Sequence, residues 1–257
     1  MITEYHRPET LDEALKLLAR KSPATRPLGG GTVLSAPSPE AWAVVDLQSL
    51  GLDEISAKGK QLTIGATASL QDVLEFEDTP DILKAVIRHE ATANLRRAAT
   101  VAGALVAAGG RSPFAAAMLA LDAQLTLQPN DEVLAYGNLL PLRDESLAGK
   151  LITEINVPTN VQLSYHYVAR TPADLAIVGV VLAAWSSGRT RLAVSGFGPQ
   201  PMLALDGRDA SGLEAALENA LSEAGDQWAY AEYRIEAGKA LLKRAMSDAG
   251  EIGRAHV

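Results

Sequence analysis

The chain has 257 residues, a formal net charge of −8 and no cysteine. That length allows one large domain or two modest ones, each with its own core. Acidic residues spread along the chain argue against a nucleic-acid partner, which needs a concentrated basic face. The missing cysteines exclude disulfides, thiolate chemistry and an iron–sulfur cluster held by this chain's own thiolates.

The first eight residues lack the basic and apolar regions of a signal peptide. Segment 101–123 is apolar on average, but Gly109-Gly110, Arg111 and Pro113 break it well short of a membrane span. The chain therefore reads as soluble and cytoplasmic, with no transmembrane segment.

In chain order, Thr10 with Glu13 forms a capping-box pattern ahead of Leu11, Ala14, Leu15 and Leu18 at helical spacing. A glycine triplet, Gly29-Gly30-Gly31, follows, and then Ala43-Val44-Val45-Asp46-Leu47 as a buried strand. Strand, helix, glycine loop and strand suggest a small α/β unit. Gln61 to Ala66 reads as a short strand, with helices marked by Leu70, Val73, Leu74 and Phe76 and by Ile82, Leu83, Val86 and Ile87. Small residues dominate from Ala99 to Gly110. Ser112-Pro113 then starts a helix, Ser as a cap and Pro at a first-turn position that has no N–H partner to lose. Gln124–Gln128 and Val133–Tyr136 read as paired strands around Pro129-Asn130-Asp131, and Leu151–Val157 alternates up to Pro158.

Beyond Thr159 the character changes. Leu163–Val168 and Arg191–Val194 read as antiparallel strands, Leu175–Trp185 as strand or helix, and Ser186-Ser187-Gly188 as a turn. Ser195–Pro199 reads as a loop, and helices are expected around 213–224 and 229–246. The expected domains are 1–158, in subdomains of about 1–55 and 56–158, and 159–250, with 251–257 a tail without periodicity.

The motifs that carry chemistry are few. Gly29-Gly30-Gly31-Thr32 lacks the downstream Gly-Lys-Ser/Thr of a P-loop, and no GxGxxG occurs. Three glycines can nonetheless curl their N–H groups around a pyrophosphate, although an ordinary turn would use them equally well. The small residues feeding the Ser112 helix admit the same two readings, an anion site or close packing. His6, His89, His166 and His256 show no metal-ligand spacing. There is no GxSxG, and Asp122 and Asp174 read as caps or surface anchors. Any catalysis would rest on a bound cofactor.

Several segments together carry a resemblance. Tyr5-His6-Arg7-Pro8 with Glu13-Ala14-Leu15, then Arg26-Pro27-Leu28-Gly29-Gly30-Gly31-Thr32-Val33-Leu34 and Val45-Asp46-Leu47, are followed by Ala99-Thr100-Val101-Ala102-Gly103-Ala104 and Leu119–Ala123. Tyr167–Arg170 with Asp174-Leu175-Ala176, and Glu232-Tyr233-Arg234, complete the series. In order and spacing this resembles the FAD-binding medium subunit of molybdenum hydroxylases, the carbon monoxide dehydrogenase and xanthine dehydrogenase type. The resemblance implies an α+β fold. A two-subdomain FAD-binding region of the vanillyl-alcohol-oxidase/PCMH type would precede a C-terminal antiparallel sheet-and-helix domain. It implies an oxidoreductase subunit that relays electrons from iron–sulfur clusters of a small partner subunit through FAD to an acceptor, a molybdopterin large subunit being their source.

Carried over by position, Leu28, Gly29, Gly30, Gly31, Thr32, Val33 and Leu34 would wrap the pyrophosphate. Thr100, Gly103 and Ala104 fall in the second flavin loop, with Thr100 and Gly103 as its lip. Ile152 matches an apolar position at the flavin, and His166 a basic one. No catalytic residue and no metal ligand is implied. The family's second-loop Asn corresponds to Ala104, its following Asp to Pro113, and its acidic residue after Thr32 to Val33. Loss of two side-chain anchors at about 1–3 kcal/mol each would weaken FAD on the order of a hundredfold or more. Two readings follow, a FAD-bearing relay and a flavin-free structural subunit with a degenerate site; a free-standing flavoprotein oxidase lacks a candidate base. On this reading Gly30→Val would abolish flavin binding with the fold intact, and Ala104→Asn with Pro113→Asp would strengthen FAD binding.

Overall fold

The computed structural model describes residues 1–254, with side chains to Ala249. The chain begins β1 (Ile2–His6), α1 (Leu11–Leu18), β2 (Thr25–Leu28), β3 (Trp42–Asp46), β4 (Ile55–Lys58) and β5 (Gln61–Gly65). Four short helices and one buried helix follow: α2 (Leu70–Glu75), α3 (Asp81–Glu90), α4 (Ala93–Ala98), α5 (Val101–Val106) and α6 (Pro113–Ala120). Next come β6 (Gln124–Gln128), β7 (Glu132–Ala135), the single turns α7 (Tyr136–Leu139) and α8 (Arg143–Ser146), and β8 (Leu151–Pro158). The chain ends with β9 (Val161–Val168), β10 (Val178–Trp185), β11 (Thr190–Ser195), β12 (Met202–Gly207), α9 (Leu213–Leu221) and α10 (Ala231–Arg254).

Packing divides these elements into two compact units. The first holds Met1–Thr79, Ala91–Ala107 and Gln124–Val157; the second holds Pro80–Glu90, Ala108–Ala123 and the chain from Pro158 onward.

In the first unit, β1 and β2 both pair parallel to β3, which lies between them. Every residue of β3 is buried, which is why the segment reads as a continuous apolar run rather than an alternation. Helix α1 lays Ala14 and Leu18 against Val45, Leu47 and Leu151, and the Thr10 hydroxyl accepts the Glu13 N–H at 3.3 Å to start it. A second sheet has the order β4-β5-β8-β6-β7, with β6 antiparallel to both β7 and β8.

In the second unit, β12-β11-β10-β9 form an antiparallel sheet. One face packs Val178, Val180, Leu182, Leu192 and Val194 on α9 and α10 through Leu213, Leu217, Leu221, Leu241 and Leu242. Helices α3 and α6 complete the unit, α6 packing on α3, β10 and β11. All eight residues of α6 are buried, which accounts for its uniformly apolar sequence. Arg191 closes the end of that helix. Its Nη2 donates to the Leu119 carbonyl at 3.0 Å, and its Nη1 lies 3.0 Å from Asp122 and 2.7 Å from Asp206. Arg234, fully buried, donates to the carbonyls of Ile177, Ala224, Ala229 and Gly196 and to the Asp226 carboxylate. It fixes the start of α10 to the loop at 195–199.

The structure differs from the sequence reading in four respects. Segments 80–90 and 108–123, placed by chain order in the first domain, pack with the second unit, because α6 has apolar residues on every side and needs cover all round. The small-residue run contains a helix, α5, where only a loop was expected. Strands β4 and β12 are not expected from the sequence: β4 is four residues long and almost wholly exposed, and β12 is an apolar run without clean alternation. Helix α10 continues to Arg254, beyond the expected helix end near 246 and the expected domain limit at 250; residues 255–257 of the expected tail lie outside the described residues.

Candidate cofactor cleft

The first unit contains a cleft of about 580 Å3. One wall is the loop leaving β2, Gly29 to Leu34, and another is one face of α5, Ala102, Gly103, Val106 and Ala107, with its cap Thr100. Arg143, Asp144 and residues 147–152, with Ala66, residues 25–27 of β2, Leu18 and Leu47, complete the lining.

The two loops meet at their backbones. A β-carbon added to Gly29 would lie 2.6 Å from the Thr100 hydroxyl oxygen, and one added to Gly30 would fall on the Ala98 carbonyl. Gly31 has φ +69°, a conformation glycine adopts without strain. The Thr100 hydroxyl in turn accepts the Gly103 N–H at 3.2 Å and begins α5.

Past this contact the backbone donors of the loop are left open. Among the described residues, none of the six N–H groups from Gly29 to Leu34 donates to a protein acceptor. Consecutive unpaired N–H groups make a concavity suited to an anion. The charged residues of the lining are Arg26, Arg143 and Lys150 against one carboxylate, Asp144, a positive excess in a chain of net charge −8. Arg26 stacks over the Trp42 ring at 4.2 Å and lies 3.4 Å from Glu40; Lys150 is paired with Glu132. Leu147, Leu151, Ile152 and Ala66 supply an apolar surface. Open donors, cations and an apolar wall fit a phosphorylated ligand with a flat ring system.

Of the residues singled out in the sequence, Gly29, Gly30, Gly31, Thr32, Val33, Leu34, Thr100, Gly103 and Ile152 line this cleft. Leu28 and Ala104 do not. Leu28 ends β2 just before the loop, and its Cδ1 would stand 3.5 Å from a β-carbon added at Gly31. Ala104 is on α5, but the lining face is 102, 103, 106 and 107, and 104 falls on the other side at 100° per residue. Pro113 is the buried first residue of α6, in the second unit. There the α6 start is already served by a carboxylate. Glu90 Oε2 accepts the Ser112 hydroxyl at 2.8 Å and the Phe114 N–H at 2.9 Å, and burial raises the pKa of Glu90 against those two bonds.

His166 belongs to the second unit and not to the lining of this cleft. It pairs with Val180 across β9 and β10, on the face that meets α10, and its Nε2 lies 2.7 Å from Asp248. Its strand neighbours Tyr165 and Tyr167 point the other way and meet His89: Tyr165 at 2.6 Å by hydrogen bond, Tyr167 by stacking at 3.9 Å. Arg143, Lys150 and Ala66 were not found from sequence, for they belong to no motif. Among the described residues, no group of three or more His, Asp or Glu is placed to hold a metal ion, and no helix is long and apolar enough to cross a membrane.

The fold is an α+β fold of the PCMH type. The same architecture occurs in carbon monoxide dehydrogenase from Hydrogenophaga pseudoflava, a form lacking the Mo-pyranopterin moiety of the molybdenum cofactor, at TM-score 0.78 and 21% identity over 98% of each chain. It occurs also in CO dehydrogenase from Oligotropha carboxidovorans (TM-score 0.76, 23%, 96% of each) and quinoline 2-oxidoreductase from Pseudomonas putida 86 (0.74, 20%, 96% of each). At those identities the likeness is one of fold. Residues 1–160 match the family described as the FAD binding domain in molybdopterin dehydrogenase, and the chain belongs to that family. The uncharacterized protein YgfM of Escherichia coli K12 is 25% identical over 228 residues, 86% of each chain.

Proposed function

We propose that this chain is the FAD-bearing subunit of a molybdenum hydroxylase complex in the cytoplasm, relaying electrons from a partner's iron–sulfur clusters to an acceptor. The observation that carries the reading is the run of six unpaired N–H groups from Gly29 to Leu34 on the wall of a cationic cleft. Family membership supports FAD as its ligand. When bound, a flavin supplies both one- and two-electron chemistry, which suits a carrier placed between single-electron clusters and a two-electron acceptor. The chain's own part is to bind and orient. Gly29 to Leu34 donate to the diphosphate, Thr100 and Gly103 form the second lip, and Ile152 with Leu147 shields the ring from water. With no cysteine in the sequence, the clusters belong to a separate small subunit and the molybdopterin to a large one.

The positions that favoured a flavin-free subunit, Ala104 and Pro113, are not part of the cleft lining, so their replacement leaves the cradle intact. The test is the absorption spectrum of the purified chain after incubation with excess FAD and desalting. Flavin bands that travel with the protein support the relay; a colourless protein overturns it.

A further inference from the structure

A surface wholly within the second unit is built around the exposed Trp228, in the segment between α9 and α10. The Arg111 and Arg170 guanidiniums both lie over its ring, with Cζ 4.6 Å and 4.5 Å from the centroid. Arg111 is fixed there from the segment before α6. Its Nε donates to the Ala176 carbonyl at 2.8 Å and its Nη2 to the Leu175 carbonyl. Arg170 comes from the exposed loop after β9. Among the described residues neither guanidinium is paired with a carboxylate. Glu90 accepts from Ser112 and Phe114, and Asp226 is taken by Arg234 and by the N–H groups of Trp228 and Ala229. Two formal charges therefore share one ring, whose face attracts cations but supplies no negative charge. On the adjoining stretches of chain Leu175, Tyr230 and Tyr233 are exposed, Tyr230 to 80%.

We propose that this surface docks a protein partner through a carboxylate-bearing segment, Arg111 and Arg170 receiving the acids and Trp228 the apolar contact beside them. Charge complementarity selects the occupant. Two guanidiniums without counter-charge, in a chain of net charge −8, mark a place where an incoming carboxylate relieves repulsion. The composition points to a protein, because Trp, Tyr and Arg dominate protein–protein contact sites. Two cations are too few for a nucleic-acid backbone, which needs an extended basic face. A second copy docked by the same patch about a twofold axis would set these cations against themselves and add to the repulsion. The inference concerns docking alone and holds with or without a flavin in the cleft of the first unit.

The experiment is fluorescence anisotropy of a short labelled peptide of mixed Glu, Asp and Leu, titrated with the full-length chain and its Arg170→Gln and Trp228→Ala variants. The same peptide with Gln and Asn in place of its acids, and a single-stranded oligonucleotide of similar length, are the counter-probes. The wild-type chain is expected to bind the acidic peptide with an affinity that falls as salt rises, and both counter-probes about tenfold more weakly or worse. Arg170 has the Trp228 ring as its one polar or ring contact among the described residues, so Arg170→Gln keeps the fold. It is expected to weaken the acidic peptide about fivefold, and Trp228→Ala about tenfold. No saturable binding of the acidic peptide, equal binding of either counter-probe, or an affinity unchanged by Arg170→Gln would overturn the proposal. So would a dimer in sedimentation velocity that Arg170→Gln abolishes, since the occupant would then be a second copy of this chain.

Discussion

The backbone of Gly30 runs against that of Ala98, so closely that a β-carbon added to Gly30 would occupy the position of the Ala98 carbonyl oxygen. The glycine is thus required by contact between the two loops of the cleft before any ligand arrives. This corrects one half of the expectation for Gly30→Val, that the fold would stay intact. Even Gly30→Ala must part the loops, at a cost of about 1–3 kcal/mol. Urea denaturation of the variant should show that loss together with loss of FAD retention; unchanged stability would mean that the loops can separate freely.

Thr100 serves both loops, standing over Gly29 and accepting the Gly103 N–H. Thr100→Val removes the cap and is expected to lower stability by about 1 kcal/mol, while Thr100→Ser retains most of it. Denaturation midpoints of the two variants measure the difference directly.

The pair Ala104→Asn with Pro113→Asp is no longer expected to strengthen FAD. Position 104 faces away from the cleft, and an aspartate at 113 would be buried where Glu90 already accepts the Phe114 N–H. A second carboxylate there is expected to destabilise the chain by about 2–4 kcal/mol. Thermal melts and FAD titration of the double variant check both halves, and tighter FAD binding in a stable protein would contradict the assignment of the cleft.

Local signals were legible in the sequence where the cause is local. Thr10 and Ser112 are caps whose acceptor oxygens serve residues three positions on, and β3 announces its double-sided burial through its own residues. The glycine triplet pointed to the right loop, but half the reason for it, the Ala98 and Thr100 contact, comes from a segment about seventy residues away. Helix α5 was hidden because Gly103 and the surrounding alanines look like a flexible lip, whereas the Thr100 cap sets the helix. Arg143 and Lys150 reach the cleft through the course of the chain between α7 and β8, which no spacing rule encodes. His166 illustrates parity. One residue along a strand reverses the face, so its neighbours meet His89 while it meets Asp248.

Glu90 gives a pH signature of known sign. Burial raises its folded pKa above the ordinary carboxylate value of 4.5. Its contribution to stability is therefore full below that value and is lost as the pH rises through the folded pKa. Glu90→Gln keeps an oxygen acceptor for Ser112 and Phe114 and removes the titration. The melting temperature of the variant relative to wild type should accordingly rise from pH 4 towards pH 8. Parallel profiles across that range would show that the carboxyl is not desolvated.

The central claim is that the open amides of Gly29 to Leu34 are the ligand's cradle. Amide hydrogen exchange of the full-length chain, read across residues 25–36 with and without FAD, tests it most directly. In the free chain these amides should exchange rapidly, having no protein acceptor, and they should become strongly protected when FAD is added. Binding of FAD with no protection in this segment, or protection already complete without it, would contradict the account.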